Sequence, residues 1–235
     1  MVGERQHQTN ILAALKKHGT KRTRDGMARY GIVAPRAYGV TLPTIRALAS
    51  RFGRDHALCE ALWQSGWYEA RMLCAFMDEP ERVTAAQMER WARDFDNWAI
   101  CDTLCISLFN RTPHAWRKVH AWAKRRDEFV KRAAFSLLAG LAVHDKAADD
   151  AKFVLCLPLI ERAATDERNF VKKAVNWALR SIGKRSPELN AAAINCARRL
   201  AESRDATPRW VGKDALRELS SAGVQRRLQL RKRRT

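Results

Sequence analysis

Acidic residues are scarce in this 235-residue chain: 25 Asp and Glu stand against 44 Lys and Arg, a formal charge of +19 at pH 7. Part of that surplus lies in the C-terminal stretch QRRLQLRKRRT, where Arg226, Arg227, Arg231, Lys232, Arg233 and Arg234 supply six charges, which leaves 19 − 6 = +13 for the rest. So large a surplus leaves a polyanion as the natural partner, nucleic acid before membrane, because fixed phosphates and released counterions reward it. Long apolar runs are absent as well. No stretch of about 18 apolar residues is present, so no transmembrane helix is expected. The N-terminal MVGERQHQTN is polar and lacks the apolar centre of a signal peptide. These features predict a cytoplasmic protein, in a bacterium one associated with the nucleoid. C-x-x-C pairs are missing, and the histidines complete no zinc spacing. The six cysteines, Cys59, Cys74, Cys101, Cys105, Cys156 and Cys196, are therefore read as reduced thiols packed like small apolar residues, with no metal, no cofactor and no structural disulfide. Glycine (11) and proline (7) are few, and the alternation that marks a strand is hard to find.

What remains is helical. At 46% hydrophobic residues the chain is too apolar to be disordered, and long stretches carry Ala, Leu, Arg, Lys and Glu at a spacing of three to four. Breaks are expected at Pro35, Pro43, Pro80, Pro113, Pro187 and Pro208, several of them at first turns of helices. A repeat is visible. FVKRAAFSLL around Val130 resembles FVKKAVNWAL around Val171 at a separation of 41, and WVGKDALREL around Val211 follows at 40. A period near 40 with two helices per unit fits HEAT-type repeats, and the echo YEARMLCAF around Arg71 is out of step. The expected architecture is an all-α superhelical solenoid of HEAT-like helix pairs with a concave basic groove. It would form one domain over 1–222, followed by a basic, flexible tail over 223–235. An irregular helical bundle is the alternative.

Two places carry candidate chemistry. Residues 169–185, NFVKKAVNWALRSIGKR, have an apolar stripe of Val171, Ala174, Val175, Ala178 and Ile182, with Lys173, Arg180 and Lys184 on the other side and Trp177 among those cations. In the preceding repeat Arg132 lies about 160° from its apolar stripe, and Lys173 and Lys213 hold the matching places, which predicts a row of cations about 10 Å apart that follows a phosphate backbone. Lys172 is assigned to phosphate with them. The second place is DFDNWAICDTLCISLF, 94–109, where Trp98 and Asp102 are four apart and so neighbours on one helix face. WRKVHAWAKRR, 116–126, mixes Trp116 and Trp122 with five cations and is read as core tryptophans with a solvated charged face.

Together these places resemble the HEAT-like repeat DNA alkylation repair proteins, the AlkD-like alkylpurine DNA glycosylases. The resemblance runs from about Met27 to Ser221 through MARYGI, GVTLPTIR, EAR, the Trp98/Asp102 pair, FVKRAA and FVKKAVNWALR. It implies a solenoid that wraps duplex DNA and hydrolyses the N-glycosidic bond of cationic alkylated purines such as 3-methyladenine and 7-methylguanine, without a deep base-flipping pocket. Asp102 is then the catalytic carboxylate, and Trp98 and Trp177 contact the lesion deoxyribose. Tyr30 joins that aromatic group, and Arg132 holds the backbone beside the lesion. Arg180 counts among the DNA-binding cations. The partner is double-stranded DNA with alkylated bases, with no membrane and no obligate protein partner, and the protein is expected to work as a monomer. Where the family often reads W-D-x-x-D, this chain reads Trp98-Ala99-Ile100-Cys101-Asp102. A non-catalytic HEAT-repeat protein that binds damaged, bent or branched DNA is the competing expectation.

Overall fold

The structure, a computed structural model, describes residues 2–232, with side chains from Arg5 to Arg231. Among the described residues the regular structure is helical throughout. The chain divides into two compact units, 1–114 and 115–235.

The first unit contains α1 (Val2–His18), α2 (Lys21–Met27), a 3₁₀ turn over Ala28–Tyr30, α3 (Leu42–Phe52), α4 (His56–Gln64), α5 (Tyr68–Met77), α6 (Ala85–Arg93) and α7 (Trp98–Ser107). Local chemistry sets the starts. Thr20, Asp55, Thr84 and Asn97 each accept a hydrogen bond from a backbone N–H in the first turn, and Thr84 with Gln87 closes a capping box. The core is aromatic: Trp63 and Trp91 stack at 4.2 Å between centroids, with Phe95 and Phe109 against them. The Trp63 indole N–H finds Asp94 at 2.7 Å, so burying the ring strands no donor.

The second unit holds α8 (Ala115–Trp122), α9 (Glu128–His144), α10 (Asp150–Val154), α11 (Leu157–Ala163), α12 (Asn169–Gly183), α13 (Pro187–Ala201), α14 (Ala206–Leu219) and α15 (Ala222–Lys232). Here the 40-residue period becomes geometry. Helices α8 and α9, α11 and α12, and α13 and α14 pack as pairs, and α12 lies against both α9 and α14. The repeat frame supplies the buried stripe of each helix: Val130, Ala134, Leu138; Val171, Val175, Leu179; Val211, Ala215, Leu219. Pairing is close at Gly212, where an added Cβ would come within 2.3 Å of the Ala201 backbone nitrogen.

The helical stretch over 148–164 is two helices, because Pro158 has no N–H to bond the Val154 carbonyl, and α10 stops there. The tail expected to be flexible from 223 is helical as far as Lys232, with Val224 and Leu228, one turn apart, buried. Arg231 donates to the Lys184 and Arg185 carbonyls just past the end of α12. Residues 233–235 of that tail, with Arg233 and Arg234, lie outside the described residues.

Candidate nucleic-acid interface

In the first unit, Asn97 caps α7 by accepting from the Ile100 N–H at 3.0 Å, which places Trp98 at the first helical position and Asp102 one turn further on. Both side chains are half-buried. The Trp98 indole N–H donates to the Tyr30 carbonyl at 2.8 Å, so the structure brings these two predicted residues together through Tyr30's backbone rather than its ring. Tyr30 as a whole is 73% exposed and lines a cavity of about 490 Å³ together with Arg22, Met27, Ile32, Leu42 and Tyr68 among others.

The irregular segment after Tyr30 is tethered. Glu69, fully buried at the start of α5, accepts backbone N–H bonds from Tyr38, Gly39 and Val40 at 3.0, 2.6 and 3.2 Å. Tyr38 stacks on Trp67 at 3.9 Å, and Tyr68 N–H donates to the Arg36 carbonyl. Gly39 takes φ +84, and a Cβ there would sit 2.2 Å from the Thr20 carbonyl oxygen. The EAR and GVTLPTIR motifs therefore have a physical link: the acid of one organises the backbone of the other. Ala99, at the departure from the family pattern, is 7% exposed in the first turn of α7.

In the second unit, Trp177 is half-buried on α12 between the buried Asn176 and Ala178. The expected row of cations is not a row of exposed side chains. Arg132 is 6% exposed and donates to the Phe170 carbonyl at 2.6 Å, which ties α9 to the first turn of α12. Arg180 bonds Glu218 and lies 3.9 Å from Asp214, and Lys184 reaches Glu218 at 2.6 Å. Burial pushes the Glu218 carboxyl up, but Lys184 and Arg180 outweigh it and hold it below its ordinary value. With Asn176 donating to Asp214 at 2.7 Å, the α12–α14 seam is a polar ladder. Lys173 and Lys213 are solvent-exposed. Lys172 lies with its ammonium 5.0 Å from the centre of the Trp210 ring. Sequence reasoning missed Trp210, although it follows Phe129 and Phe170 in the same repeat frame.

Charge is unevenly divided. Residues 115–235 carry 28 Lys and Arg against 13 Asp and Glu, a surplus of 15, and residues 1–114 carry 16 against 12, a surplus of 4. Of the mixed segment 116–126, Trp122 is fully buried, and Trp116 donates to Asp145 at 3.0 Å while packing edge-on against Phe153. All six cysteines are buried thiols; burial pushes Cys156 up to about 11 and Cys196 up to about 12. Among the described residues no cluster of three His, Cys, Asp or Glu could hold a metal ion, and no helix is long and apolar enough to cross a membrane.

The sequence model of a family described as "DNA alkylation repair enzyme" matches residues 11–219. A solved structure described as "A new family of proteins related to the HEAT-like repeat DNA glycosylases with affinity for branched DNA structures" superposes with a TM-score of 0.76, covering 90% of this chain and 93% of that one at 18% identity. At that identity the likeness is one of fold, and it is a HEAT-like repeat fold. No curated protein matches the chain.

Proposed function

Since the chain belongs to the DNA alkylation repair enzyme family, we propose that it is a monofunctional glycosylase for cationic alkylated purines of the 3-methyladenine and 7-methylguanine type in duplex DNA. The observation that carries this reading is the pairing on α7: Trp98, fixed by the Tyr30 carbonyl, and Asp102, one turn away and half-exposed. A purine alkylated at N3 or N7 is already positively charged and leaves without being protonated. As its bond to C1′ lengthens, positive charge moves onto the sugar. A carboxylate beside C1′ stabilises that charge and orients a water molecule, whose oxygen bonds to C1′ while its proton passes to the carboxylate or to solvent. The face of Trp98 favours the same cationic sugar. No lysine is assigned to a Schiff base, so strand cleavage is not part of the proposal.

From the second unit, Lys172, Lys173 and Lys213 are assigned to phosphates and Trp177 to an aromatic contact with DNA. Arg132 and Arg180 are assigned to holding the helices in register. Selectivity then follows from the charge and lability of the lesion rather than from base-edge contacts.

The test is release of free base from methylated duplex. Asp102→Asn is expected to slow release by about 10²–10³ and to leave duplex affinity equal or higher, since it removes a charge that phosphate repels. Turnover equal to the parent's would overturn the catalytic role. A second reading, a non-catalytic protein that binds damaged, bent or branched DNA, is favoured by Ala99 and by the structural relative described as having affinity for branched DNA. Tight binding with no base released by the parent protein would establish it over the first.

A further inference from the structure

Trp210 stands apart from the other tryptophans. It is 41% exposed on α14, whereas Trp63, Trp91 and Trp122 are fully buried. In the repeat frame its counterparts are Phe129 and Phe170, which pack against one another with centroids 5.4 Å apart. Trp210 follows Phe170 in that frame and carries the ammonium of Lys172 over its ring. The seam it belongs to explains the exposure. Residues 172, 176 and 180 of α12 oppose 210, 214 and 218 of α14. The lower two rungs are closed by Asn176 on Asp214 and Arg180 on Glu218. The first rung is an ammonium on an indole, with Lys213 exposed one turn along the same face of α14 and Lys173 exposed beside Lys172.

We propose that Trp210, with Lys172 over its ring and Lys213 one turn along its helix, is a stacking site for an unpaired nucleobase of DNA. The inference rests on the reading that this protein binds DNA, and it adds a preference that the excision chemistry does not contain. Bases inside a duplex already have both faces covered by their neighbours. A base in a gap or at a branch has an open face, and an indole takes it without regard to sequence. The contact between Lys172 and the ring is of a kind that holds weakly where water reaches it. An incoming base replaces the ammonium on the ring, and Lys172 turns to the phosphate of the same nucleotide. Lys213 is placed for the next phosphate along. The ligand is an anionic strand rather than an apolar surface because the unit holding this ring has 15 more cations than acids.

The experiment uses the full chain with two labelled DNAs, a continuous duplex and the same duplex with a short single-stranded thymidine gap, at one fixed salt concentration. The parent is expected to prefer the gapped DNA. Trp210→Ala should weaken gapped binding about ten-fold while duplex binding stays within about two-fold, and Trp210→Phe should keep most of the preference. A halogenated uracil placed in the gap should photo-crosslink to Trp210, and the same base paired in the duplex should not. Equal affinity of Trp210→Ala and parent for gapped DNA overturns the stacking site while leaving duplex binding intact. Equal losses on both DNAs, in Trp210→Ala and Trp210→Phe alike, assign the ring a structural role and also overturn it. A parent that binds neither DNA overturns this inference together with the DNA-binding reading itself.

Discussion

Glu69 has lost its water and replaced it with three backbone N–H groups of the segment that follows Tyr30. A carboxylate that accepts only from backbone donors is not interchangeable with an amide: the NH₂ of glutamine would face a donor. Glu69→Gln is expected to lower stability by about 1–3 kcal/mol, measured by urea unfolding, with cleavage by protease appearing first between residues 31 and 41. Glu69→Asp should also lose stability, because the shorter side chain cannot span the same three donors. Trp177 tests the other unit at the same scale. If it contacts DNA, Trp177→Ala loses both affinity and turnover on methylated duplex with little change in melting temperature. Unchanged kinetics with a large drop in melting temperature would return the ring to packing. Both residues stood out in the sequence for different reasons, one as part of a short motif and one as an indole among cations. Only the hydrogen bonds gave Glu69 its role, since nothing in E-A-R says which backbone the acid will reach.

Among elements, the pairing of α13 with α14 depends on Gly212. A Cβ there would meet backbone atoms of the partner helix, Ala201 nitrogen at 2.3 Å and Ala197 oxygen at 2.5 Å. Backbone cannot rotate aside as a side chain can, so Gly212→Ala is expected to cost about 1–3 kcal/mol or more, read as a shift in the denaturant midpoint. Gly26, inside α2 with nothing within 4 Å of its Cβ position, is the control: Gly26→Ala should stabilise by about 0.4–1 kcal/mol. The α9–α12 seam has a pH signature. Asp166 is held down to about 2 by its hydrogen bonds to Arg168, aided by Lys131. A carboxyl depressed in the folded state adds stability that is complete above its ordinary value near 4 and is lost as pH falls towards 2. Asp166→Asn is therefore expected to flatten the acid limb of the stability profile between about pH 4 and 2, with little change in its shape above pH 5. The helices themselves were plain from spacing, because the 3.6-residue period is a local property. The split at Pro158 was not, since the helical pattern continues on both sides of a residue that cannot donate.

For the whole molecule, the surplus of 15 cations over acids in residues 115–235 predicts that DNA binding falls steeply with salt. Replacing Lys173 and Lys213 by Gln should lower the slope of log K against log salt by about one for each phosphate that is no longer neutralised; a flat profile in the parent would remove the phosphate assignments. Arg180→Gln should change that slope less, because its charge is already spent on Glu218. The sequence by itself determined the helical class, the 40-residue pairing, the basic character and the Trp98/Asp102 juxtaposition, all of which depend on composition or on residues within one turn of each other. Tertiary structure decided which cations are available. Arg132, Arg180 and Lys184 meet partners 34 to 38 residues away, whereas Lys173 and Lys213 remain exposed to solvent. The reason is physical: helical spacing tells which face a side chain leaves from, whereas its charge is free or neutralised according to what a distant segment brings opposite it.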